Sequence, residues 1–315
     1  MTEPILPAPG ARPDRNPLRG YVMVTVAAIL FAVNGAVSKV ILESGVSSPR
    51  LSEVRSAGAF VVLAVAVLVF RPAILRIGRR ELTFLAFFGV AGLVSVQLFY
   101  FLAIHRLEIG VALLIQYLAP LLVALWARWV YREHVRRRVW VALVFSLIGL
   151  SLIVQVWTGI ELDGLGVVFA LLGAVAYATY VLLAEHAVVR RDAFSVSCYG
   201  FLFAALFWTL VQPWWSFPAG VVGSDVSLLG NLADAHLPVW LLMAWMIVLG
   251  TIVPFALIVA ALRHVAATRA GITAMLEPVV ASLVAFAWLD ESLSAVQLAG
   301  GAVVLAGIVL AQTAR

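Results

Sequence analysis

Apolar residues fill this chain in blocks of helix length, separated by short polar or charged intervals. Each block is long enough to cross a hydrocarbon core of about 30 Å as a helix, which takes about 20 residues. The pattern predicts ten spans, at roughly 20–42, 50–70, 82–103, 109–130, 138–156, 165–185, 194–212, 238–260, 269–288 and 294–313. The intervals are short, except the one between the seventh and eighth spans. The ten-residue alternating strands of a membrane barrel are not what these blocks show. The fold class expected is therefore all-α and integral to the membrane, with ten transmembrane helices.

The pattern repeats. Shifting the chain by 158 residues lays spans three to five on spans eight to ten without a gap: Gly92 on Gly250, Pro120 on Pro278, Glu133 on Glu291 and Gly149 on Gly307. Spans one and six align with a shift near 146, which sets Phe31 on Tyr177. The chain thus divides into a tail at 1–19, expected to be disordered and cytosolic, a first five-helix unit at 20–156 and a second at 165–313. Five is odd, so the second unit is expected upside down relative to the first. Inverted repeats with interrupted helices are the mark of secondary transporters, whose substrate site lies near the midplane between the halves.

Charge then orients the helices. Arg71, Arg76, Arg79, Arg80, Arg132, Arg136, Arg137, Arg138, Arg190, Arg191 and Arg263 fall in alternate intervals, and the other intervals hold Asp163, Asp225, Asp234, Asp290 and Glu291. Basic loops stay in the cytosol, so both termini are expected there, in a multi-pass protein of the plasma membrane. Composition agrees: 64% of the 315 residues are apolar and 12% charged, against about 25% charged in soluble domains. The net charge of +5 is dispersed through short loops, so nucleic acid is not an expected partner. The single cysteine, Cys198, excludes an internal disulfide. The five histidines sit near span ends without metal-ligand spacing, and no metal or other cofactor is expected.

Paired motifs end the two units: Gln116, Tyr117 and Pro120, then Tyr131 to Glu133 and Gly149; and Met275 to Pro278, then Leu289 to Glu291, Gly300, Gly301 and Gly307. On these residues the chain resembles the EamA family of the drug/metabolite transporter superfamily, over about residues 20–313. The resemblance implies ten helices in two inverted EamA repeats and the export of small metabolites such as amino acids, or of drugs. It also matches Arg55 to an arginine habitual early in the family's second span.

The chemistry-bearing candidates are few. Glu277 puts a carboxylate near the middle of a span, beside the helix-breaking Pro278. Ionisable groups at that depth are costly and face a cavity or protein. Desolvation favours the neutral form of a carboxyl group, so the site can be ionised when open to water and neutral when enclosed. The alternative is a structural carboxylate bonded to a neighbouring helix. Gln116 and Tyr117, just before Pro120 in the partner span, either hydrogen-bond substrate or bond between helices. Asn34 and Ser38, and Tyr177 and Tyr180, share helix faces; they either line the central cavity or pack. Lys39, the sole lysine, either snorkels to the headgroups or pairs with Glu43. Arg55, near Glu53, is expected in a gating or structural ion pair.

The expected function is a secondary-active exporter of small metabolites such as amino acids, proton-coupled and working by alternating access. The alternatives are efflux of hydrophobic cationic drugs, with Glu277 as counter-charge, or uncoupled facilitation. No Gly-x-x-x-x-Gly-Lys loop or intramembrane enzyme motif is present, so enzymatic activity is not expected. The partners expected are a small-molecule substrate and the lipid bilayer, with a homodimer an open arrangement.

Overall fold

The computed structural model describes residues 16–107, 109–155 and 163–313. The greater part of the expected tail, residues 1–15, lies outside them, and helix begins at Pro17. Among the described residues ten helices are long and apolar enough to cross a membrane. They are α1 (Pro17–Glu43), α2 (Ser48–Phe70), α3 (Arg79–Ile104), α4 in two pieces (α4a, Ile109–Gln116; α4b, Ala119–Trp129) and α5 (Arg137–Val154). Then follow α6 (Gly164–Arg190), α7 (Ala193–Val211), α8 (Val239–Ala261), α9 in two pieces (α9a, Ala267–Ala274; α9b, Leu276–Trp288) and α10 (Ala295–Gln312). The side chains satisfy the free donors of several first turns. Asp163 accepts from the Gly166 amide at 2.7 Å, and Ser294 with Gln297 forms a reciprocal cap on α10.

The irregularities of the helices repeat along with the sequence. A π-helical segment interrupts α3 at Phe88–Val94 and α8 at Val248–Ile252. Helix α4 breaks at Tyr117–Leu118 and α9 at Met275, and each break leaves a proline in the first turn of the piece that follows. Proline has no N–H to give, and the first turn has no intrahelical acceptor for one, so it is tolerated there. Each unit then ends its fourth helix with a residue in left-handed conformation, Arg132 (φ 55°) and Asp290 (φ 59°). In each, the next amide turns back to a carbonyl six residues earlier, Glu133 to Ala127 and Glu291 to Ala285.

Helices α5 and α10 meet along a seam of small residues. A Cβ on Gly149 would lie 2.6 Å from the Gly300 carbonyl and the Val304 amide, and one on Gly307 would lie 2.5 Å from Ser146 Oγ and 2.9 Å from the Ala142 carbonyl. Under the repeat, Ala142 and Ser146 are the counterparts of Gly300 and Val304. The contacts are therefore reciprocal, each half meeting the other through the same surface, and backbones approach this closely only where side chains are small.

The two ends of the bundle differ in chemistry. At one end Arg191 donates to the carbonyls of Ile74 (3.1 Å) and Arg76 (2.6 Å) and to Ser195 Oγ (2.8 Å), and pairs with Glu81 at 2.8 Å. This ties the α6–α7 link to the α2–α3 link. At the other end a two-stranded antiparallel ribbon, β1 (Asp225–Ser227) with β2 (His236–Pro238), pairs Asp225 with Pro238 and Ser227 with His236. Its loop caps α9b: Trp288 Nε1 donates to the Leu228 carbonyl at 2.7 Å and Asn231 Nδ2 to that of Ala287 at 3.2 Å.

Candidate functional site

The break in α9 places Glu277 in the first turn of α9b, where unpaired amides and the positive end of the helix dipole favour a carboxylate. The break in α4 places Tyr117 opposite, with its hydroxyl towards the Glu277 carboxyl. The two interrupted helices also touch: Pro120 Cγ lies 3.1 Å from where a Cβ on Gly271 would stand. Arg55 of α2, Tyr100 of α3 and Tyr177 of α6 lie within electrostatic reach of the same carboxylate. Five helices thus converge on one acid.

The position of this cluster in the fold is informative. Glu277, Arg55, Tyr100 and Tyr177 lie deep among protein atoms, yet each keeps some accessible surface. These groups are therefore not sealed in a fully packed core. Tyr117 is buried, at 6% exposure. Behind this wall lies an aromatic stack. Tyr177 stacks on Tyr180 (ring centroids 6.3 Å apart), Tyr180 on Phe88 (5.5 Å), and Phe255 meets Tyr180, Phe31 and Phe201 edge-on at 5.8, 5.1 and 5.4 Å. Edge-on and offset rings are the favoured geometries, so Tyr177 is backed by an ordered layer.

Charge at the site is asymmetric between the halves. The counterpart of Glu277 in the first unit is Ala119. Arg55 Nε donates to Thr251 Oγ1 at 3.3 Å, and Thr251 in turn bonds the Met246 carbonyl at 2.9 Å inside the π segment of α8.

Glu53 pairs with Arg50, at 2.6 Å, with both side chains buried, and Arg50 also reaches the carbonyls of Gln212 and Pro213 and the Ser216 hydroxyl. Arg55, one turn further into α2, is left to face the site. Lys39 pairs with Glu291 of the α9–α10 link at 3.0 Å rather than with Glu43, because the bend at Asp290 carries that carboxylate over the end of α1. Tyr180 is buried at 3% exposure inside the aromatic stack. Asn34, at 6% exposure, packs against α8, its Oδ1 pressed towards Gly250. Ser38 and Gln116 are half-buried, and Gln116 precedes Tyr117 at the α4 break. Tyr100, Thr251 and Arg50 are additions that sequence reasoning passed over. For Thr251 a signal existed, because it adjoins Gly250, one of the repeated glycines.

Comparison with known proteins places this architecture. The profile of the EamA-like transporter family matches residues 18–155 and again 164–313, one match per unit. An uncharacterized transporter of Archaeoglobus fulgidus is 30% identical over 80% of this chain and 84% of its own. The inner membrane transporter YicL of Salmonella typhimurium is 23% identical over 93% and 94%. The threonine/homoserine exporter RhtA of Escherichia coli is 26% identical over 86% and 84%. A solved crystal structure superposes with a TM-score of 0.75 at 19% identity, covering 93% of this chain and 96% of that one, which supports the fold. With the family profile matched twice across ten membrane-length helices, the chain belongs to the EamA-like transporter family.

Proposed function

We propose that this protein is a secondary-active exporter of small metabolites such as amino acids, coupled to protons and working by alternating access. The observation that carries this reading is Glu277, a carboxylate at a helix break deep in the bundle, ringed by Arg55, Tyr100, Tyr117 and Tyr177 from four other helices. Such a group can bind a proton when the site is enclosed and lose it when water enters.

Two five-helix halves with repeated π segments and breaks supply the moving parts. Arg132–Glu133 lies towards the end that holds Glu185, and its counterpart Asp290–Glu291 lies at the end that holds Lys39. That placement favours an inverted pair rocking about a site between the halves. The basic end, with Arg76, Arg191 and Arg263, faces the cytosol in this reading, in the cell membrane with both termini inside. The RhtA name makes threonine and homoserine the first solutes to try.

The test is purified protein in liposomes holding a pH-sensitive dye, with an amino-acid panel and a cationic-dye panel. Wild type is expected to move protons with a solute, and Glu277→Gln to lose that coupled flux by at least tenfold. A Gln variant that transports the solute at the wild-type rate, with no proton movement in either protein, would show Glu277 to be structural and the protein a facilitator. Transport confined to the cationic dyes would instead place Glu277 as the counter-charge of a drug.

A further inference from the structure

Arg55 is the cationic side chain that acts on Glu277, and a long, flexible guanidinium needs a partner to fix its position. We propose that Thr251 is the positioning residue for Arg55, fixing from the π segment of α8 where its guanidinium stands relative to Glu277. This inference rests on the Glu277-centred site.

Chemistry fixes the direction of the two bonds at Thr251. A guanidinium only donates, so Thr251 Oγ1 must accept from Arg55 Nε and spend its own proton on the Met246 carbonyl. Thr251 is fully buried and its hydroxyl has one arrangement that satisfies both partners. Arg55 Nε is then pinned to α8.

The backbone makes that arrangement available. In a π-helical segment the bonds run from i to i+5, and the Thr251 hydroxyl reaches the carbonyl five residues back. The π segment is itself clamped. A Cβ on Gly250 would stand 2.0 Å from Asn34 Oδ1 of α1, and one on Gly58, a turn beyond Arg55, would stand 2.4 Å from Ile247 Cδ1. Helices α1, α2 and α8 therefore close on this turn, and the span between Arg55 and Thr251 is set by packing. The counterpart of Thr251 in the first unit is Leu93, so the device exists only in the half that faces Arg55. Without the hydroxyl the arginine can extend along α2 towards water, as long basic side chains in membranes do.

The test needs no substrate. Dicyclohexylcarbodiimide is apolar and attacks protonated carboxyl groups in apolar surroundings, so the labelling rate of Glu277 in the purified full chain, read by peptide mass spectrometry, reports how strongly Arg55 acts on that carboxyl group. The other groups facing Glu277, namely Tyr100, Tyr117 and Tyr177, are unchanged throughout. Thr251→Val is expected to raise the rate several-fold, Arg55→Met to raise it to the same level, and the double variant to add nothing further. Thr251→Ser is expected to label as wild type. Thr251→Ala is read alongside, so that loss of the hydroxyl is seen with and without loss of volume. Wild-type labelling in both Thr251→Val and Thr251→Ala, or an increase that persists on top of Arg55→Met, overturns the proposal. Normal transport by Glu277→Gln would sink the function proposed above while leaving this labelling pattern standing, so the two can fail separately.

Discussion

Arg50 and Glu53 carry opposite charges one turn apart, and both are almost wholly buried at the end of α2. Burying a pair is costly, and the structure compensates by giving Arg50 further acceptors in the Gln212 and Pro213 carbonyls. Arg50→Met leaves Glu53 buried without its partner and is expected to cost about 3–5 kcal/mol, seen as a large fall in the thermal unfolding midpoint in detergent. Arg50→Met with Glu53→Leu removes both charges and should recover most of that loss; no recovery would mean that Arg50 matters through the carbonyls it ties down. In the sequence these two residues read as ordinary charges near a span end. Nothing in the order of residues says that the turn at 212–216, more than 150 positions away, folds back over them. Glu277 was legible because a lone carboxylate inside an apolar block is conspicuous. Tyr100 was not, because a tyrosine in such a block differs little from a packing aromatic.

At the scale of the element, the helices were legible and their faults were half legible. Apolar blocks of fixed length give the spans, and the prolines at 120 and 278 point to the breaks in α4 and α9. The π segments in α3 and α8 have no comparable residue signature beyond the repeated glycines 92 and 250, since a π turn is one residue of excess rather than a breaker. The seam of α5 and α10 shows how little room these elements leave. A methyl group on Gly149 would meet backbone, the Gly300 carbonyl and the Val304 amide, rather than a side chain able to turn away. Gly149→Ala is expected to destabilise by about 1–3 kcal/mol, the usual cost of overpacking, and Gly307→Ala by a similar amount. Gly35→Ala, where a Cβ would meet nothing within 4 Å, is the matched control. Equal unfolding midpoints in all three would show the seam to be looser than drawn.

Across the whole molecule, the two ends are held by different means. The basic end is knotted by Arg191 through backbone carbonyls, whereas the other is crossed by the exposed Lys39–Glu291 pair, with side chains 51% and 54% accessible. An exposed ion pair contributes roughly 0–1 kcal/mol, so Lys39→Ala is expected to leave the unfolding midpoint nearly unchanged. The pair has more consequence as a latch between α1 and the α9–α10 link. Cysteines at 39 and 291, oxidised in liposomes, are expected to arrest transport, with recovery on reduction; full activity in the cross-linked state would mean that this end need not open. The repeat made the duplication legible from sequence, but which link folds over which helix end depended on the bends at Arg132 and Asp290, and left-handed turns at non-glycine residues leave little trace in composition.

The reciprocal seam carries a consequence for how such a chain could arise. A contact in which Gly149 meets Gly300 and Val304 while Gly307 meets Ala142 and Ser146 is the pattern of an isologous dimer, in which one surface recognises its own copy. The contacts named here come from α5 and α10 themselves. Joining the copies in one polypeptide raises their local concentration and releases each from the need to remain identical, and only then could one half keep an arginine and the other a glutamate.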